Sequence, residues 1–189
     1  MKERGITVGK RKKNKSSNAV KTILEIGLFI LAVLVIALIM SRFVVERVRV
    51  RNHSMEETLM PDDSVMIDKI SYRFHDPERF DIIVFRQNGT QEELIKRIIG
   101  LPHETVQIVD GKFLIDGEEI DDVEGLDAPE DAGLAASPVE LSVGEYFVVG
   151  DNREESIDSR YDQVGIVPST KITGRMFMRI YPFNKIKIF

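Results

Sequence analysis

A mostly β domain over residues 41–189, behind one N-terminal transmembrane helix over residues 22–40, is the fold class that this sequence predicts. Three observations carry it. Residues 22–40 (TILEIGLFILAVLVIALIM) contain a single charged side chain, Glu25. Beyond them, short runs of alternating apolar and polar residues recur, the period of half-buried strands. Turn-forming dipeptides separate those runs, no long amphipathic helix competes with them, and no repeat of about 20 to 50 residues is visible.

The 189 residues make room for one compact domain plus an appendage. Cysteine is absent, which excludes disulfides, a thiol nucleophile and a thiolate zinc site. Any nucleophile is therefore oxygen or nitrogen. The net charge of −5 divides unevenly: residues 1–21 carry eight basic side chains against Glu3, whereas residues 41–189 carry 18 basic and 29 acidic ones. An acidic body argues against nucleic acid as a partner, because phosphate binding requires a basic face.

As a helix, the nineteen residues from Thr22 to Met40 reach about 28 Å, enough to cross a bilayer core. Glu25 lies within one turn of the basic end, where its carboxylate can reach the headgroups. A cleaved leader would need a shorter apolar stretch and a small-x-small exit, which Ser41-Arg42-Phe43-Val44 does not offer. A retained anchor is preferred to a cleaved leader or a buried core helix. The excess of positive charge ahead of the span then places residues 1–21 in the cytoplasm and residues 41–189 on the extracytoplasmic face of the plasma membrane. The tail lacks hydrophobic periodicity and should be disordered and drawn to anionic lipid.

After the span, Val48 and Val50 alternate with Arg47, Arg49 and Arg51. Strand patterns follow at residues 64–68, 80–85, 94–99, 105–109, 113–115, 145–149 and 171–180. Asp110-Gly111 and Asp116-Gly117 are tight-turn dipeptides that fold residues 105–120 into a meander. Nine carboxylates crowd residues 116–131 without the alternating spacing of a calcium loop, and read as a solvated loop. His53, His75 and His103 show no metal-ligand spacing.

Three segments could carry chemistry. Ser54 opens Ser-Met-Glu-Glu and is either a nucleophile or the first residue of a Ser-x-x-Glu capping box with Glu57. Lys96 shares a strand face with Leu94 and Ile98. It is either an edge lysine whose head stays wet or a buried amine whose pKa falls far enough to serve as a base. Residues 150–161 (GDNREESIDSRY) are polar throughout. They are a surface loop by default, yet Asp158 and Arg160 could form a bidentate ion pair and Ser156 could bond a neighbouring amine.

In this order behind an anchor, those segments resemble the type I signal peptidases in their Gram-positive-like, single-span form. The family's Ser-Met-x-Pro-Thr-Leu box is similar to residues 54–59, its Arg-Gly-Asp-Ile-Val box to residues 79–84, and its Lys-Arg-x-x-Gly-x-Pro-Gly-Asp box to residues 96–104. Its Gly-Asp-Asn-Arg-x-x-Ser-x-Asp-Ser-Arg box is matched at every specified position from Gly150 to Arg160. The resemblance implies antiparallel β-sheets with a small inserted β region at about 105–143. It also implies a membrane-bound serine endopeptidase that removes signal peptides from exported preproteins after small-x-small motifs.

By the same resemblance Ser54 is the nucleophile and Lys96 the general base. Ser156, Asp151, Asn152, Asp158 and Arg160 support the site, the Ser54 amide and Asn52 form the oxyanion hole, and Met55 lies near the substrate pockets. No metal or organic cofactor is needed. Three departures stand out: Glu57 replaces proline, Phe80 replaces glycine, and His103-Glu104 replaces Gly-Asp. Because proline would fix φ in the turn after Ser54, Glu57→Pro is expected to raise turnover or stability. The rival readings are a catalytically weak or inactive relative that binds or assembles exported surface proteins, and a membrane-tethered adaptor.

Overall fold

The computed structural model describes residues 13–87, 89, 92–121, 123 and 125–189. The chain divides into two units, the first ending at Arg42 and the second running from Phe43 to Phe189.

Helix α1 spans Lys13–Phe43, and within it Ala19–Ile39 has a mean hydropathy of 2.9, long and apolar enough to cross a membrane. It begins well ahead of the expected Thr22, so residues 13–21, expected to be disordered, are helical; the rest of that tail lies outside the described residues. The reason is cooperativity: no glycine or proline stands between Lys10 and Ile26, and each residue added to an existing helix gains a hydrogen bond without a new nucleus.

Among the described residues, the second unit has twelve strands: β1 (Val45–Arg49), β2 (Ser64–Asp68), β3 (Ile82–Arg86), β4 (Glu93–Gly100), β5 (Thr105–Val109), β6 (Lys112–Ile115), β7 (Glu118–Glu119), β8 (Val139–Glu140), β9 (Glu145–Val149), β10 (Val167–Pro168), β11 (Ile172–Tyr181) and β12 (Lys187–Ile188). The larger sheet runs β1-β2-β11-β3-β4-β9-β10, with β12 also paired to β11, and the smaller runs β7-β6-β5-β8. Every pairing is antiparallel.

Local chemistry accounts for the strand ends. Asp110 and Gly111 (φ 49° and 76°) and Asp116 and Gly117 (φ 53° and 85°) all adopt left-handed conformations. Two consecutive left-handed residues are what a two-residue hairpin turn demands. β3 starts at Ile82 rather than at the expected Phe80, because Phe80 has φ 70° and cannot continue an extended strand.

Strand β4 positions the site. Its residues alternate between two apolar environments, so Leu94 and Ile98 pack with Ile83, Phe85 and Val148, while Ile95 packs with Val50, Leu59, Ile67 and Val84. Ile99 instead joins Val106, Phe113 and Phe147 beneath the smaller sheet. Each such side chain contributes about 1.5 to 3 kcal/mol on burial, which clamps β4 from both sides.

Candidate active site

Ser54 lies in a run of turns that follows β1, and it is 7% exposed. Its hydroxyl donates to Asn52 Oδ1 at 3.1 Å. The capping box does not form: the segment is not helical, and Glu57 takes φ 80°. That φ also overturns the expectation for Glu57→Pro, because a proline ring holds φ near −65° and cannot enter this turn as it stands.

Lys96 stands in β4 opposite Ile83 and is 1% exposed, on the face of Leu94 and Ile98. Burial pushes its amine down to about 8; the charges of Asp158 and Asp151 oppose the fall, and Arg160 adds to it. Buried in this way, an amine spends part of its time neutral near physiological pH. Ser54 and Lys96 line one cleft of about 420 Å³, together with Asn52, His53, Leu94 and Ile157.

The loop from Gly150 to Arg160 supports this cleft from below. Asn152 N–H donates to the Ser54 carbonyl at 3.2 Å, and Asn152 Nδ2 donates to the His53 carbonyl at 3.2 Å. Asp158 and Arg160, both fully buried, form a bidentate pair at 2.9 and 3.0 Å. Asp158 also accepts from Gly150 N–H at 3.0 Å, and Arg160 donates to the carbonyls of Asp131, Arg153 and Ser156. Ser156 Oγ is buried and has no hydrogen-bond partner among the described residues. At Gly150 the two loops meet: a Cβ there would collide with Ser156 Oγ and the Ser54 carbonyl. Among the described residues, no group of three or more His, Asp and Glu could hold a metal ion.

Residues 23–181 match the family model described as signal peptidase, peptidase S26. The chain belongs to the S26 signal peptidases. It is similar to a probable signal peptidase I-2 of Synechocystis sp., 36% identical over 92% of this chain and 80% of that protein. It is also similar to the signal peptidase I of Bacillus licheniformis, 30% identical over 92% of this chain and 96% of that one. A solved signal peptidase I from Enterococcus faecalis aligns with a TM-score of 0.44 at 32% identity, covering 53% of this chain and 97% of that chain. The chain is thus a serine endopeptidase of the signal peptidase I type, a hydrolase acting on signal peptides.

In this signal peptidase Met55 is a core residue. Met55, expected beside the substrate pockets, is fully enclosed in the cluster of Val50, Leu59 and Ile95 and does not line the cleft.

Arg97 is the residue that the sequence reading passed over. It donates through Nε and Nη2 to both oxygens of Asp151 at 2.8 and 2.6 Å, and through Nη1 to the Phe80 carbonyl at 2.9 Å. The signal was present, since a charge placed between Ile95 and Ile99 on an apolar face requires a buried acidic partner. Glu104, one of the departures from the family boxes, accepts both terminal nitrogens of Arg79 and the Leu101 N–H.

Proposed function

We propose that the chain is a membrane-anchored signal peptidase in which Ser54 attacks the scissile carbonyl and Lys96 serves as its general base. The observation that carries this reading is the shared cleft, which Ser54 lines together with Lys96, a deeply buried amine whose pKa is lowered to about 8. Neutral Lys96 takes the Ser54 proton as Oγ bonds to the carbonyl carbon, giving a tetrahedral oxyanion. The Ser54 amide and the Asn52 side chain stabilise that oxyanion. In the free protein Asn52 presents Oδ1 to the hydroxyl, so its amide turns over to present Nδ2 once the proton has left. Lys96 then gives its proton to the leaving amine, and water hydrolyses the ester with Lys96 again as base.

Ser156 is the group we assign to orienting the amine, since its buried hydroxyl is free to accept a hydrogen bond from Lys96. Asp151, Asn152, Asp158 and Arg160 hold the two loops in register. Cleavage falls after small-x-small motifs, for which this reading requires shallow pockets beside Ser54 that admit only short side chains. Residues 22–40 span the plasma membrane once, residues 1–21 face the cytoplasm, and residues 41–189 form the extracytoplasmic peptidase domain with its β insertion at about 105–143.

Cleavage of a preprotein by the detergent-solubilised full chain, and its loss in Ser54→Ala with an unchanged melting temperature, tests the assignment. Residual cleavage by Ser54→Ala at the parent rate overturns it. Protease added outside intact cells should digest the domain after residue 41 and spare the tail; protection of the domain overturns the topology.

A further inference from the structure

Away from the cleft, two adjoining cavities of about 540 and 450 Å³ share Lys69, Thr170, Ile172 and Thr173. Arg73 lines the first, and Arg86 and Lys171 line the second. Among the described residues, Asp76 is the one acidic side chain that lines either. Glu46 engages Lys69 from outside at 2.8 Å, and Glu93 lies 4.0 Å from Arg86 and accepts from Thr173 Oγ1 at 3.3 Å, so the positive charge left over in this trough rests on Arg73 and Lys171, beside the Thr170 hydroxyl. Such a trough runs against the composition of residues 41–189, where acidic side chains outnumber basic ones by 29 to 18. Clustered cations with hydroxyl donors fit a phosphate group.

Covalent connectivity says where this trough lies. Lys69 N–H donates to the carbonyl of Val44 at 2.9 Å, and Val44 directly follows the last residue of α1. Consecutive Cα atoms are about 3.8 Å apart, so this edge of the domain stays within a few residues of the end of the apolar helix whatever angle the helix takes. Phe74, next to Arg73, is 83% exposed, and a bare aromatic beside basic residues suits a lipid headgroup layer.

We infer that the trough bounded by Lys69, Arg73, Lys171 and Thr170 binds the phosphate of an anionic phospholipid and thereby fixes the domain against the bilayer. The inference rests on α1 being the membrane anchor. Flotation of the full chain with vesicles of phosphatidylcholine alone tests that anchor separately, and failure to float removes both readings.

The site itself is tested by hydrogen exchange of the full chain in vesicles of phosphatidylcholine with and without phosphatidylglycerol. Anionic lipid should slow exchange across residues 69–77 and 169–174 by roughly tenfold. The double variant Arg73→Gln/Lys171→Gln should abolish that protection, while Lys185→Gln/Lys187→Gln, an equal loss of charge elsewhere, should keep it. Protection that persists in the first variant, or disappears equally in both, overturns the site. Equal protection by inorganic phosphate over phosphatidylcholine vesicles assigns the trough to a soluble anion and overturns the lipid. Slower preprotein cleavage by Arg73→Gln/Lys171→Gln in phosphatidylcholine alone assigns it to the substrate, with the same consequence.

Discussion

Arg97 and Asp151, 54 residues apart in sequence, are joined side chain to side chain by two hydrogen bonds of 2.8 and 2.6 Å, both groups buried. Arg97 follows Lys96 in β4, and Asp151 follows Gly150 in the loop whose Asn152 holds the Ser54 carbonyl. The pair therefore ties the proposed base to the turn that carries the proposed nucleophile.

Asp151→Asn keeps the shape of the acid and removes its charge, which leaves a buried guanidinium uncompensated. The loss should be about 3 to 5 kcal/mol in urea unfolding. The double replacement Arg97→Met/Asp151→Leu should recover most of that stability, because it removes both charges together. Cleavage should stay low in both variants, since neither restores the link between β4 and the loop.

Lys96→Arg keeps the positive charge and should lose cleavage, since a guanidinium does not deprotonate near neutrality. In the parent, kcat/KM should rise with pH and level off above about 8, the value to which burial lowers the amine. A profile flat from pH 6 to pH 9 would contradict the role. Stability moves with the same sign. The folded amine binds a proton less readily than the unfolded one, so the penalty is complete below about 8 and fades as pH rises toward about 10.4. Lys96→Met should accordingly stabilise the fold by about 3 kcal/mol at pH 7, and by much less at pH 10.

Three departures from the family boxes share a backbone feature: Glu57, Phe80 and His103 have φ of 80°, 70° and 71°. A side chain in this region costs about 1 to 2 kcal/mol. His103 is exposed, so His103→Gly should raise stability by about 1 kcal/mol, read as a higher melting temperature. Glu57→Gly should do the same, whereas Glu57→Pro should lower melting temperature and single-turnover rate together. Phe80 is a poorer test, because it also packs against the cluster beneath the smaller sheet.

Gly150→Ala introduces a methyl group where Ser156 Oγ and the Ser54 carbonyl already stand. Relief requires the two loops to part, so kcat should fall at least tenfold while the circular dichroism of the sheets is retained. Normal kcat in this variant would show that the meeting of the loops is not needed for turnover.

Much of the architecture was legible in the sequence, because it depends on neighbours close along the chain. An unbroken apolar run has only a helix with which to satisfy its backbone in lipid, so α1 was evident, and its early start needed only the absence of glycine and proline. Alternation marked Thr105–Val109 and Glu145–Val149 to the residue, and the Asp-Gly dipeptides named both hairpin turns, since these are consequences of side-chain period and of tolerance for positive φ. The polar loop from Gly150 and the amine on the apolar face of β4 were likewise visible as residue types out of place. The tertiary structure decided what depends on partners far along the chain: that Lys96 is sealed at 1% exposure, that Arg97 meets Asp151, and that Met55 turns into the core while Ser54 faces the cleft. It also set the positive φ of Glu57, which no local preference favours. A single glutamate accepts that conformation only because the packing of Met55 and Leu59 and the bonds to the Gly150 loop hold both ends of the turn, and their combined energy exceeds the local cost.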